Sequence, residues 1–329
     1  MAMYCEGTIK PNNFEIKDAD KHYEGIVGKL KKAFVGLGTD ERRVIEILTT
    51  HSNAQRQEII KQFKAQTGKD LEEEVKAELG GLFETLVLAL LVPSSNFDAK
   101  CIHDAMKFGT CEKTLIQVLC SKTNSEIKAI ADAYEAMYDC EMEEDLKSDL
   151  SGTFQNIIIS IIQGKRADNI EVDQELVVKD AEEIYQAGEA NENGTDEYKF
   201  NKVLSLRSRA HMNAVFDQYK KIAGKEIEQT LDYEAQLIAQ PDTRDAFKAI
   251  CAYARNPLTY FATCLHESLA GIGTDDSALI RLIVDHSEVD LADIKKRYRE
   301  LFNSTLVVDV QNDTSGDYKK LLTAIIGTD

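Results

Sequence analysis

Two loops of the chain carry the residue types and spacing of a cation site. Phe34-Val35-Gly36-Leu37-Gly38-Thr39 is followed, forty residues after Gly38, by Glu78; Leu269-Ala270-Gly271-Ile272-Gly273-Thr274 is followed, forty residues after Gly273, by Asp313. Glycine lets a loop turn with positive φ and aim its carbonyls at one point. Three carbonyl oxygens and a bidentate carboxylate brought together suit a hard cation, and calcium, which takes about 6 to 8 oxygens in flexible geometry, fits that donor set. About five protein oxygens leave roughly two positions for water or a lipid phosphoryl oxygen. With one carboxylate per site, affinity in solution is expected near 10⁻⁴ M, on the order of the weakest protein calcium sites. Lipid that completes the shell must raise it reciprocally.

The elements that position these loops are read from an internal repeat. Gly-Thr pairs recur at Gly38-Thr39, Gly109-Thr110, Gly194-Thr195 and Gly273-Thr274, spaced by 71, 85 and 79 residues. Counting from each Thr, the fifth position holds Val44, Leu115, Phe200 and Leu279, the eighth Ile47, Val118, Val203 and Leu282, and the ninth Leu48, Leu119, Leu204 and Ile283. These offsets mark one helical face. Ser52, Thr123, Ser208 and Ser287 follow as N-cap types, then Ile59, Ile130, Val215 and Ile294, and an aromatic, Phe63, Tyr134, Tyr219 or Tyr298, closes the register. In the first copy the helices are expected before Gly36, at Asp40 to Thr50, Asn53 to about Thr67, Asp70 to Leu79 and Leu82 to Leu91, so the fold is all-α, five helices per repeat. A single Gly-x-Gly-Thr would be no more than a helix terminator; its recurrence with a distant carboxylate argues for a site.

Composition agrees. Of 329 residues 43% are hydrophobic, Pro (4) and Gly (18) are few, and Ala, Leu, Glu and Lys are common, which favours helix. The net charge of −18 excludes nucleic acid as a ligand, and it opposes unaided attraction to acidic lipid, so a membrane role needs a bridging cation. No stretch resembles a secretory signal or a membrane span, and the expected location is cytoplasmic, peripheral on membranes when calcium rises, with unconventional export left open. Seven cysteines lack CxxC spacing and are expected reduced. The six histidines form no metal pair at i, i+4 and are expected to be structural or solvated; Glu141 to Asp145 is expected to be a solvated acidic face. No EF-hand, P-loop, GxGxxG or nucleophile elbow occurs, so no enzymatic activity is expected.

The chain resembles the annexins from about residue 20 to its C-terminus. The resemblance rests on KAFVGLGTDE, on SNAQRQEI from Ser52, and on SLAGIGTDDSALIR with NDTSGDYKK. It implies a curved disc of four five-helix bundles with calcium loops on the convex, membrane-facing side, and binding to acidic phospholipid. The repeats are expected at 20–92, 93–165, 177–257 and 258–329, after a short segment 1–19 and with a linker at 166–176, overlapping the polar stretch Gly164 to Glu175, between two halves. By position, the ligands implied are the carbonyls of Phe34, Gly36 and Gly38 with Glu78, and of Leu269, Gly271 and Gly273 with Asp313. Thr39 with Glu41, and Thr274 with Asp276, match accessory sites of the family.

The departures concern the middle repeats. The second reads MKFGT, one residue short, although Asp149 keeps the forty-residue spacing from Gly109. The third reads GEANENGT, Gly188 to Thr195, one residue longer than expected, and Glu234 leads into AQLIAQPDTRD where a short turn is usual. The second site is expected to be degenerate, and in the third the added residue could reshape the site or destroy it. Val35 and Ala270 replace the basic residue common before the first glycine, which weakens selectivity for phosphatidylserine. Leu37 and Ile272, at the loop tips, could enter the headgroup region or simply be exposed. The alternative function is a calcium-independent helical interaction scaffold, with an extracellular location left open.

Overall fold

A computed structural model describes residues 6–10, 19–35, 38–107, 109–188, 196–234, 241–271 and 273–328. The described residues form twenty helices and no strand, five helices to a repeat. The first repeat holds α1 (Ala19–Ala33), α2 (Glu41–Thr49), α3 (Asn53–Thr67), α4 (Leu71–Glu78) and α5 (Gly81–Leu91). The second holds α6 (Ser94–Met106), α7 (Glu112–Leu119), α8 (Asn124–Tyr138), α9 (Met142–Asp149) and α10 (Gly152–Ile162). The third holds α11 (Gln174–Ala187), α12 (Glu197–Leu206), α13 (Arg209–Ala223), α14 (Ile227–Glu234) and α15 (Pro241–Arg255). The fourth holds α16 (Pro257–Leu269), α17 (Asp276–His286), α18 (Leu291–Phe302), α19 (Leu306–Asp313) and α20 (Gly316–Ile326). Every one of the repeated apolar columns is in the core, and the closing aromatics Tyr134, Tyr219 and Tyr298 are fully buried with Phe63.

Local chemistry explains where the helices begin. Ser52 and Thr123 each form a capping box, with Gln55 and Glu126, and Ser208 caps α13 through the His211 amide. Ser287 does not cap its helix. In the fourth repeat α17 runs to His286 and α18 starts only at Leu291, after Asp290. The Ser287 carbonyl accepts instead from the amides of Thr8 and Ile9, at 2.7 and 2.8 Å, while Ala292 donates to the Glu6 carbonyl at 2.9 Å. Gly7 sits so close to Glu288 that a Cβ there would lie 2.4 Å from its backbone carbon. The N-terminal residues 6–10 thus take the backbone groups that an earlier helix start would have used.

The chain divides into two compact units, residues 1–97 with 261–329, and residues 98–260. In the first, α5 packs on α3, α17 and α20, and α2 packs on α20. Arg56, 1% exposed, reaches from α3 to Glu288 at 2.8 Å and donates to the carbonyls of Leu48, His51 and Leu90. In the second unit α10 packs on α7, α12 and α15, and α11 on α13. The stretch 166–176 lies inside this second unit, where α10, which precedes it, packs on α12, the second helix after it. The six described cysteines, Cys101, Cys111, Cys120, Cys140, Cys251 and Cys264, are all free. Among the described residues, no helix is long and apolar enough to cross a membrane.

Candidate metal centre

Each inter-helix loop is closed by the same backbone bond, from the residue after Thr to the end of the preceding helix. Asp40 donates to Ala33 at 2.9 Å, Cys111 to Ala105 at 2.8 Å, Asp196 to Ala187 at 2.7 Å and Asp275 to Ser268 at 2.8 Å. The closed span is seven residues in the first and fourth repeats, six in the second and nine in the third. The third loop is therefore two residues longer than the outer ones, not one. Gly38, Gly109 and Gly273 all take positive φ, 95°, 98° and 91°, and Gly271 takes 108°. Any other residue would be strained there.

The helices return an acidic residue to three of these loops. In the first repeat α4 ends at Glu78, and the Thr39 hydroxyl lies 3.3 Å from the Glu78 carbonyl, to which it donates. In the fourth, α19 ends at Asp313, and the Thr274 hydroxyl is 3.4 Å from its carbonyl and 3.3 Å from Oδ2. In the second, Thr110 donates directly to Asp149 Oδ2 at 2.7 Å. Phe34 is buried and Leu269 half-buried at the foot of their loops. Glu41 and Asp276 are the first residues of α2 and α17, two positions past Thr39 and Thr274. Gly36, Leu37, Ile272 and Gly194 lie outside the described residues, as does the Glu234 side chain; Glu234 ends α14 and Gly188 follows α11 with φ −111°.

The donor chemistry fits a hard cation held mainly by backbone. No three His, Cys, Asp or Glu side chains converge as a metal cluster among the described residues, so the single carboxylate at each loop would have to be joined by carbonyl oxygens. Both outer loops belong to the first compact unit. There a cleft of about 420 Å³ is lined by Glu41 and Glu78 from the first repeat and by Asp317 and Tyr318 from the fourth. Burial first, and the Asp276 charge second, push the Tyr318 hydroxyl up.

Two side-chain chains below the loops were not anticipated. In the second repeat Tyr134 donates to Asp145 Oδ2 at 2.7 Å, so its oxygen is left to accept from His103 Nδ1 at 3.1 Å; His103 stacks on Tyr138, with centroids 3.7 Å apart. In the fourth, Tyr298 donates to Asp309 at 2.6 Å and accepts from His266 at 3.2 Å, and His266 stacks on Phe302. Asp145, expected to be solvated, is therefore a tie between α8 and α9; the bonds from Tyr134 and Cys140 hold its carboxyl below the usual range. Comparing repeat columns could have found these sets: the first repeat has Lys31, Phe63 and Glu74 at the corresponding positions.

The Annexin family model matches residues 27–90, 97–161, 179–236 and 260–325. The chain belongs to the annexin family. It is similar to annexin A8 of Oryctolagus cuniculus, 43% identical over 302 residues that cover 91% of each chain. Among solved structures, annexin III superposes with a TM-score of 0.92 at 36% identity over 100% of both chains. A calcium-bound annexin (Sm)1 superposes with a TM-score of 0.83 at 28% identity, covering 98% of this chain and 93% of that one. Annexins are non-enzymatic membrane-binding proteins, and membership implies calcium-dependent phospholipid binding in general. The matched segments of this annexin each contain one of the four loop Gly-Thr pairs, the first and last with the distant acidic residue hydrogen-bonded to the threonine, through the Glu78 carbonyl and through Asp313 Oδ2.

Proposed function

We propose that this annexin binds acidic phospholipid through calcium ions held at the loops of its first and fourth repeats. The ligands in this reading are the carbonyls of Phe34, Gly36 and Gly38 with Glu78, and of Leu269, Gly271 and Gly273 with Asp313. Thr39 with Glu41 and Thr274 with Asp276 serve as accessory positions. The observation that carries the reading is the hydrogen bond of Thr39 to the Glu78 carbonyl and of Thr274 to Asp313 Oδ2, which brings a distant acidic residue back to loops whose Gly38, Gly271 and Gly273 take positive φ. An incomplete protein shell leaves room for a lipid phosphoryl oxygen, so calcium links an acidic protein of net charge −18 to an acidic surface. The protein then resides in the cytoplasm and moves to membranes when calcium rises. Co-sedimentation with phosphatidylserine liposomes, in calcium and in chelator, tests this. Binding is expected in calcium alone, and equal binding in both would favour a calcium-independent scaffold.

A further inference from the structure

The first repeat departs from its copies on α1, the helix that precedes its loop. Counting back from the carbonyl that closes each loop, the eighth, fifth, fourth and first positions in this repeat are Gly25, Gly28, Lys29 and Lys32. The other three repeats have no glycine at these positions and one lysine at most, Lys100 in the second and Lys179 in the third. The annexin fold therefore does not require this set.

Nor does local packing require it. Gly25 and Gly28 lie inside α1 without positive φ, and a Cβ on either would meet nothing within 4 Å. Both disfavour the helix relative to alanine and gain no close contact in return. Their effect is to leave open the floor of a groove of about 430 Å³ between α1 and α2. Lys29, Lys32 and Arg43 line that groove against one carboxylate, Glu46. Arg43 has Asp40 at 3.3 Å, whereas Lys29 and Lys32 make no ion pair with any described residue.

Three cations against Glu46 and the Asp40 paired with Arg43 leave the groove a positive balance in a chain of net charge −18. The site suits a compact anion with several acceptor oxygens. A phosphate monoester carries about −1.5 to −2 charges near pH 7, and its oxygens accept from ammonium and guanidinium donors alike. We propose that this groove binds a phosphate monoester group, from a lipid headgroup or from soluble phosphate. Lys32 immediately precedes Ala33, whose carbonyl closes the loop, and Arg43 lies in the first turn of α2. The lining of the groove thus reaches the loop end of both helices, within range of a monoester lipid bridged by calcium at that loop. This lipid route rests on the calcium-bridging reading; the soluble route does not.

The full chain in chelator, titrated with inorganic phosphate while the amide signals of Gly25 and Ile47 are followed by NMR, tests the groove alone. Saturable shifts are expected, with the midpoint raised at least about tenfold in Lys29→Ala/Lys32→Ala and in Gly28→Leu, which fills the floor with a better helix former. In the second arm, limiting calcium is combined with phosphatidylcholine vesicles containing phosphatidic acid or phosphatidylserine at matched surface potential. Wild type is expected to need several-fold less calcium for phosphatidic acid, and Lys29→Ala/Lys32→Ala to lose that preference while binding phosphatidylserine unchanged. No saturable shift, or shifts that survive both variants, overturns the proposal. Phosphate binding without a lipid preference supports it and assigns the soluble source. If no vesicle binds in calcium, the bridging reading falls, and the phosphate titration still decides the groove.

Discussion

The hydroxyl of Thr110 donates to Asp149 Oδ2 at 2.7 Å, joining the second loop to its distant carboxylate by a direct hydrogen bond. The corresponding threonines of the outer loops have longer contacts, Thr39 to the Glu78 carbonyl at 3.3 Å and Thr274 to Asp313 at 3.3 and 3.4 Å. The closing span is also one residue shorter than in the outer loops, although Gly109 keeps the same positive φ. A shorter loop presents one carbonyl fewer, and Asp149 alone cannot supply a calcium shell of about 6 to 8 oxygens.

Calcium is therefore expected to fill the first and fourth loops before the second. A calcium-soaked crystal should show density beside Glu78 and Asp313 with none at Asp149. Inserting one glycine between Lys107 and Phe108, which restores the seven-residue span, should add a site detectable by calcium titration. Density at Asp149 with the outer loops empty would refute this order.

Glu78→Gln combined with Asp313→Asn should nearly abolish calcium-dependent sedimentation with phosphatidylserine liposomes. Each substitution removes the charged ligand proposed for its loop and preserves its shape. Either alone should retain partial binding, because two weak sites on one chain act together. A double variant that sediments like wild type at limiting calcium would show that other groups hold the ion.

Arg56→Ala should lower stability by about 3 to 5 kcal/mol, the range for removing one partner of a buried ion pair. It leaves Glu288 unpaired and three carbonyls, of Leu48, His51 and Leu90, without their donor. Arg56→Lys should recover little, since one ammonium cannot reach four acceptors on separate segments. Denaturant unfolding monitored by circular dichroism measures both, and a loss below about 1 kcal/mol for alanine would mean that the pair is dispensable.

Stability should fall as pH drops below about 6.5, through the pair His22 and His51. Their Nε2 atoms are 2.9 Å apart, and His51 Nδ1 lies 2.7 Å from the Ile47 carbonyl. Burial is the first cause that lowers both pKa values, with neighbouring Lys29, and Arg56 for His51, adding to it. Below 6.5 the unfolded chain takes up protons that the folded pair refuses, so the loss begins at that pH and ends once pH passes below the depressed folded values. Melting temperatures from pH 7.5 to 5 should show this slope in wild type and a shallower one in His51→Gln. Identical slopes would remove the pair from the account.

Much of this annexin was legible in its sequence because helix formation and burial are read from nearby residues. The apolar columns from Val44 to Phe63 repeat at helical spacing, and all four copies of each of these columns are buried. The caps at Ser52, Thr123 and Ser208 need only a side chain and an amide three residues on, and the glycines at 38 and 273 announce positive φ by their type. What tertiary structure alone decided are relations between distant groups. Ser287 has the residue type of a cap, yet its carbonyl receives Thr8 and Ile9, so α18 begins later. Asp145 has the look of a surface acid and instead receives Tyr134, because α8 and α9 pack. Lys29 and Arg43 read as unrelated surface cations until α1 and α2 bring them to one groove. A hydrogen bond or a shared pocket depends on where packing carries each group, and packing is settled by all the buried columns at once.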